Sequence, residues 1–325
     1  MCNFANKKPM KYNYCGKSGL QLPQVSLGMW HNFGSVDSFA NAREMLLTAF
    51  DNGITHFDLA NNYGPEPGSA ELTLGRVLRE DLMAHRDELV ISSKAGYEMW
   101  NGPYGNGGSR KYLMASINQS LKRTGLEYFD IFYSHRYDPN TPIEETMQAL
   151  VDIVKSGKAL YVGISNYPAD KQQACYDYLR AHDVPCLISQ YKANMLFRDT
   201  LLAQKPIAEQ NGSGFITFCP LAQGLLTDRY FNGIPTGSRA TRGIFLKESQ
   251  ITENYLKQVH ALNEIAAGRG QSLAQMALAW LLHLGVTSVL IGASSTQQLL
   301  NNIGAIDNTD FSPEELSNID QILQK

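Results

Sequence analysis

Four side chains of this sequence have the types and placement to deliver a proton to a carbonyl oxygen: Asp58, Tyr63, Lys94 and His135. A phenol is a useful acid near neutral pH only if its high pKa is lowered by a neighbouring cation, and Lys94 can supply that charge. A buried lysine tends to lose its proton, so a carboxylate such as Asp58 is needed to hold it charged. His135 can orient the carbonyl by hydrogen bonding. The set suits a reduction in which hydride arrives from a cofactor and the growing alkoxide takes a proton. Each residue alone also has an ordinary structural reading: Asp58 as a loop cap, Lys94 as a strand-end ion pair, His135 as a satisfied near-core histidine. Their common placement favours chemistry, because Asp58, Lys94 and His135 each end an apolar run and Tyr63 lies on the loop after Asp58.

Those runs are VSLGMW (25–30), ITHFDL (54–59), LVISSKA (89–95), FDIFYSH (129–135), LYVGISN (160–166), CLISQYK (186–192), FITFCPL (215–221) and SVLIGAS (288–294). They read as continuous rather than alternating, as strands do when helices cover one face and a packed interior the other. Helical stripes lie between them: Phe39, Ala42, Met45, Leu46, Ala49 and Phe50 ended by Gly53; Met147, Leu150, Val151 and Val154; Leu273, Met276, Ala277, Trp280 and Leu281. Thr141-Pro142-Ile143-Glu144 reads as a threonine cap with a first-turn proline and a returning glutamate. Strand–helix repetition with right-handed crossovers predicts an α/β fold, a (β/α)8 TIM barrel with an extra C-terminal helix at 312–324; an open doubly wound sheet is the second reading. One domain spans 1–325, and the glycine-rich, basic stretch 222–250 reads as a loop over the active face.

Bulk properties narrow the classes. A charged share of 18% and a net charge of -3 provide no field for nucleic acid or an anionic membrane. No apolar run reaches the length of a membrane span, and the opening MCNFANKKPM lacks the apolar core of a signal peptide, so the expected compartment is the cytoplasm. Five scattered cysteines without a CxxC pair indicate neither a disulfide framework nor a zinc site, and no metal is expected.

From about Tyr12 to Ile322 the chain resembles the aldo-keto reductase superfamily. ITHFDLANNYG (54–64) is similar to its aspartate-to-tyrosine signature, VISSKAG (90–96) to its lysine strand and FYSHR (132–136) to its histidine strand. The resemblance implies Asp58, Lys94 and His135 around a proton-donating Tyr63. It implies that Ser165, Asn166 and Gln190 hold a nicotinamide carboxamide, with Met29 and Trp30 also on the cofactor. FCPLAQGLLTDRY (218–230) resembles the pyrophosphate-covering segment, implying Phe218 against the nicotinamide, then Cys219, Pro220, Leu221, Gln223 and Gly224 along the cofactor, with Arg229 and Arg239 extending the clamp. IGASSTQQLLNNIGAI (291–306) resembles the adenosine-phosphate motif, implying Gly292, Ser294, Gln298, Asn301 and Asn302. Trp30, His31, Tyr63, Tyr97, Trp100 and His135 are the implied substrate lining.

Within the superfamily, SLGMWHNFG (26–34), NYGPEPGSAE, GPYGNGGSRKYL and SLKRTGLEYFDIFYSHR resemble the bacterial branch acting on L-glyceraldehyde 3-phosphate, and next potassium-channel β-subunits. The implied activity is NADPH-dependent reduction of short aldehydes such as that compound or methylglyoxal, with a homo-oligomer implied by relatives that assemble. The alternative is a β-subunit-like, cofactor-sensing interaction module, against which stands the retained His135. A Schiff-base aldolase with Lys94 as nucleophile would need that lysine neutral and leaves the cofactor motifs without purpose. Two departures stand out: Ser295 replaces an arginine that in several relatives faces the extra phosphate of NADPH, leaving NADH open, and 191–214 is shorter and differently composed.

Overall fold

A computed structural model describes residues 9–324, apart from 237, 244 and 245 and the side chains of Arg239 and Arg242. All eight apolar runs form strands, as expected: β1 (Val25–Gly28), β2 (His56–Asp58), β3 (Val90–Ala95), β4 (Phe129–Ser134), β5 (Ala159–Ser165), β6 (Ile188–Lys192), β7 (Gly214–Phe218) and β8 (Ser288–Ile291). They pair in parallel in that order and β8 closes on β1, giving a (β/α)8 barrel rather than the open sheet. Helices α1 (Phe39–Asp51), α2 (Ser69–Val77), α3 (Arg110–Thr124), α4 (Ile143–Lys155), α5 (Ala169–Ala181) and α6 (Asp199–Gln210) follow strands β1 to β6. After β7 come several short turns, then α7 (Glu253–Gly268) and α8 (Leu273–His283); α9 (Thr296–Ile303) follows β8, and α10 (Pro313–Leu323) is the additional C-terminal helix. Helix α8 is buried nearly all round, as its apolar sequence requires, whereas α4 buries one stripe. None of the described helices is long and apolar enough to cross a membrane.

The outer shell of core side chains joins strands to helices, while a smaller inner cluster of Ile131, Tyr133, Ile188, Ile216 and Leu290 fills one side of the barrel lumen. The other side of the lumen is polar. Ser26, His56, Asp58, Ser92, Lys94 and Ser288 are all buried there, on β8, β1, β2 and β3. An N-terminal hairpin (Tyr12–Tyr14 with Gln21–Pro23) lies across the N-terminal ends of the strands, where Cys15 and Leu22 join the inner cluster and Asn13 bonds the carbonyl of Thr287 just before β8. With that end plugged, the carboxyl ends remain for a site.

The expected threonine cap of α4 is not formed. Pro142 occupies the cap position with no side-chain bond, and the Thr141 hydroxyl donates instead to Asp138 Oδ2 (2.8 Å). Asp138 also accepts from the Gly108 and Asn140 amides, so its carboxylate outcompetes the helix end for that hydroxyl. A complete capping box does occur on α10, between Ser312 and Glu315, and another on α8, between Ser272 and Gln275.

Candidate active site

Strand register assembles the site. Asp58 ends β2 opposite Ser92 of β3, and Lys94 of β3 stands opposite Tyr133 of β4. Lys94 Nζ donates to Asp58 Oδ2 (2.5 Å) and to the Leu59 carbonyl (2.6 Å), and lies 3.4 Å from the Tyr63 hydroxyl. Asp58 Oδ1 accepts from Ser92 Oγ (2.6 Å) and Gln190 Nε2 (3.2 Å). His135, directly after β4, sets its ring against that of Tyr63 at 5.8 Å between centroids. Asp58, Tyr63, Lys94 and His135 are thus brought together at the carboxyl end of the barrel.

The charges behave differently from the simple expectation that Lys94 lowers the tyrosine's pKa. Burial pushes Tyr63 well above the ordinary phenol range, and Asp58 pushes it the same way. The reason is neutralisation: with its carboxylate in contact, the Lys94 ammonium presents an ion pair rather than a bare cation to the phenol. Lys94 itself is held below the usual lysine value by burial, with Asp58 and Glu71 opposing. His135 is driven well below the normal imidazole value by burial, Lys94 and Arg136, so its ring is neutral at physiological pH. Its Nδ1 is buried with no hydrogen-bond partner among the described residues, which leaves bonding capacity for a ligand.

Aromatic rings continue upward from this base. Trp30 lies 4.3 Å from His31 and 6.4 Å from Tyr63, and Tyr97 meets His135 edge-on at 4.7 Å. Trp100 of the 96–108 loop packs on Tyr112 of α3 (5.4 Å). That loop is tight enough that a side chain on Gly105 would sit 1.9 Å from the Trp100 carbonyl. Arg136 ties the loop down, donating to the Gly96 carbonyl and to Asn106 Oδ1, both at 2.8 Å, with its guanidinium over Tyr97. Arg136, which stands in FYSHR itself, and Ser92, two residues before Lys94 on the same strand face, join the site beyond the residues expected from sequence.

The residues expected along a dinucleotide lie around the same rim. Met29 is buried just after β1, its amide bonded to the Asp58 carbonyl. Ser165 ends β5 and accepts from Asn166 Nδ2 (3.0 Å), which also bonds the His135 carbonyl (3.1 Å); Asn166 holds this position with φ +56°. Gln190 is buried on β6 opposite Ser165. After Phe218, the chain crosses Cys219, buried Pro220, Leu221, Ala222, Gln223 and Gly224, with Cys219, Ala222 and Gln223 all at positive φ. Asn194, from the compact turn that opens the altered 191–214 stretch, holds the Cys219 carbonyl (3.0 Å). Three non-glycine residues in the left-handed region within five positions is a backbone cost of the kind that clusters at ligand-binding segments.

Beyond β8, Gly292 and Ser294 are exposed, Gln298 Oε1 accepts from the Ser294 amide (2.9 Å), and Ser295 caps α9 by accepting from the Gln298 amide. Asn301 is exposed and bonded to Gln275, while Asn302 is buried with Nδ2 unpartnered among the described residues. Arg229 is exposed on the Asp228–Tyr230 turn, and the Arg239 side chain lies outside the described residues.

A closed parallel barrel with an aspartate–lysine pair, a tyrosine and a histidine at its carboxyl rim defines a class: the chain belongs to the aldo/keto reductase family, matching it over residues 24–324. It is accordingly an oxidoreductase that works with a nicotinamide cofactor. Among curated proteins it is 58% identical over 327 aligned positions to the L-glyceraldehyde 3-phosphate reductase of Escherichia coli strain K12, covering 96% of this chain and 92% of that protein. The protein of the same name from Escherichia coli O157:H7 is 57% identical over the same shares.

Proposed function

We propose that this protein reduces short aldehydes, with L-glyceraldehyde 3-phosphate and methylglyoxal as the substrate class, using NADPH, with Tyr63 as proton donor. The observation that carries it is the Tyr63–Lys94–Asp58 contact line at the open end of the barrel, beside a neutral His135. The residues around the rim suit a dinucleotide: a buried Asn302 amide without a partner among the described residues, buried Ser165 and Gln190, and the 219–223 segment with its left-handed residues. Ser165, Asn166 and Gln190 would hold the carboxamide, Phe218 the ring face, residues 219–224 with Arg229 and Arg239 the pyrophosphate, and Gly292 to Asn302 the adenosine phosphate. Bound there, NADPH supplies a hydride to the carbonyl carbon.

The protein's own groups do the rest. His135, with its ring uncharged, orients the carbonyl oxygen without competing as an acid. Tyr63 carries its proton in the resting state, because its pKa is raised, and gives it to the alkoxide. The phenolate then lies beside Lys94, whose charge Asp58 maintains, so the negative charge is met without water. Trp30, His31, Tyr97 and Trp100 wall the approach. Arg136 adds a cation at that wall, which favours a phosphorylated aldehyde over a neutral one.

The test follows NADPH and NADH absorbance with methylglyoxal and each enantiomer of glyceraldehyde 3-phosphate, comparing wild type with Tyr63→Phe. Oxidation lost by a factor of roughly 10²–10⁴ in the variant, with cofactor affinity intact, supports the reductase and its donor together. Cofactor binding without turnover would turn the reading toward a cofactor-sensing module. NADH is included because Ser295 offers a hydroxyl where a cation would select the extra phosphate.

A further inference from the structure

The polar half of the barrel lumen contains a residue that the chemistry above does not use. His56, fully buried, sits two residues before Asp58 on the same inward face of β2. Its Nδ1 is 2.9 Å from Ser26 Oγ and its Nε2 is 3.0 Å from Ser92 Oγ. Ser26 Oγ lies 2.6 Å from Ser288 Oγ, and Ser92 Oγ lies 2.6 Å from Asp58 Oδ1. Ser288, Ser26, His56 and Ser92 therefore form a continuous hydrogen-bonded line across β8, β1, β2 and β3, ending on the carboxylate that holds Lys94.

Counting protons fixes the direction of that line. A carboxylate can only accept, so the single hydroxyl proton of Ser92 goes to Asp58, and Ser92 must accept from His56 Nε2. Burial pushes the His56 imidazole down to about 4, so at neutral pH the ring has one proton, and it is on Nε2. Nδ1 then accepts from Ser26, and Ser26 accepts from Ser288. Every donor points toward Asp58. Such a chain polarises link by link and strengthens the last bond, the charge-assisted one.

We propose that His56 is a positioning residue: by donating to Ser92 it orients the Ser92 hydroxyl onto Asp58, and so fixes the Asp58–Lys94–Tyr63 line on which proton transfer depends. The inference rests on the reductase reading above. The opposite half of the lumen shows that apolar residues can fill this layer, so packing alone does not call for an imidazole between two serines.

Two substitutions separate positioning from packing. His56→Leu fills the space and donates nothing. His56→Gln places an amide nitrogen where Nε2 stands and restores the donor to Ser92. In His56→Leu, kcat for aldehyde reduction is expected to fall roughly tenfold, the size of one weakened charge-assisted hydrogen bond, with the NADPH Kd from fluorescence titration unchanged. His56→Gln recovers most of it. In the reverse direction, alcohol oxidation needs Tyr63 ionised among Asp58, Lys94, Tyr97, Cys219 and His135, with Arg136 behind His135. A less firmly held Asp58 changes the Asp58–Lys94 charge balance beside Tyr63, so the acid limb of that pH profile shifts in His56→Leu and stays in place in His56→Gln. In a Ser92→Ala background, adding His56→Leu changes kcat little, because the intermediary is already gone.

A readout independent of activity is the tautomer: nitrogen-15 NMR of the resting protein should find His56 protonated at Nε2. Protonation at Nδ1 would reverse the line and overturn the proposal, as would equal losses in the leucine and glutamine variants, or additive losses with Ser92→Ala. An active wild type whose folded His56 variants turn over normally overturns the inference alone. A wild type that reduces no aldehyde overturns the reductase reading, and this inference falls with it.

Discussion

Tyr63 keeps its proton in the resting site, and its behaviour depends on a pair rather than on one neighbour. Lys94 and Asp58 are each almost wholly inaccessible, and either alone would be an uncompensated charge inside the barrel. Lys94→Met is therefore expected to lose roughly 10³-fold in kcat, and also to destabilise the protein by about 3–5 kcal/mol, because Asp58 is left buried without its cation. Denaturant titration beside steady-state rates checks both; a variant as stable as wild type would show that Asp58 takes up a proton instead. Arg136 makes a different prediction. If its guanidinium meets a phosphate ester, Arg136→Met raises KM for glyceraldehyde 3-phosphate about tenfold or more while leaving methylglyoxal nearly untouched. Equal changes for both substrates would limit Arg136 to holding the 96–108 loop, which its bonds to Gly96 and Asn106 already do.

At the scale of elements, strands were the legible part, because β-branched and aromatic runs covered on both sides have few other ways to fold. Caps were less legible: the Thr141 pattern met the rule for a helix start, yet a carboxylate three residues upstream, at Asp138, captured the hydroxyl. The polar character of one half of the lumen was written in ITHFDL and LVISSKA as His56 and Ser92, two residues before Asp58 and Lys94, but a run judged by its overall apolarity hides a period of two. The placement of Asp58, Lys94 and His135 at run ends, with Tyr63 on the loop after Asp58, exposed the chemistry. The left-handed conformations at Cys219, Ala222 and Gln223 had no signal, since none of these residue types favours that region, whereas Asn166 is of a type that does. Elements also support the site through close approach. A methyl group on Gly163 of β5 would sit 2.5 Å from the Tyr133 ring, whose centroid is 5.6 Å from Lys94 Nζ. Gly163→Ala is expected to destabilise by about 1–3 kcal/mol through overpacking and to lower kcat as Tyr133 moves against Lys94. Tyr133→Leu in the same chain should restore part of the stability; a thermal melt showing no loss in Gly163→Ala would mean the lumen yields at β5.

For the whole molecule, closure of the barrel buries the lumen, plugged at one end by the 12–23 hairpin, and His56 registers that burial. His56 titrates near 4 when folded, against the ordinary 6.5 of an unfolded chain. Between those values the unfolded chain binds a proton that the folded one refuses, so protonation favours unfolding. The stability that a neutral His56 contributes is therefore complete above pH 6.5 and is lost as pH falls toward 4, a loss of about 3 kcal/mol over the window. His135, also held below its normal value, acts with the same sign. Urea titrations of the wild type at intervals from pH 7 to pH 4 should show stability falling steadily before carboxylates begin to titrate in number. His56→Gln cannot take up that proton, so whatever its stability at pH 7, its decline to pH 4 should be shallower by about 3 kcal/mol. Parallel slopes in the two proteins would mean that the barrel admits water or relaxes around a charged His56, and that the lumen is less closed than its hydrogen-bonded line requires.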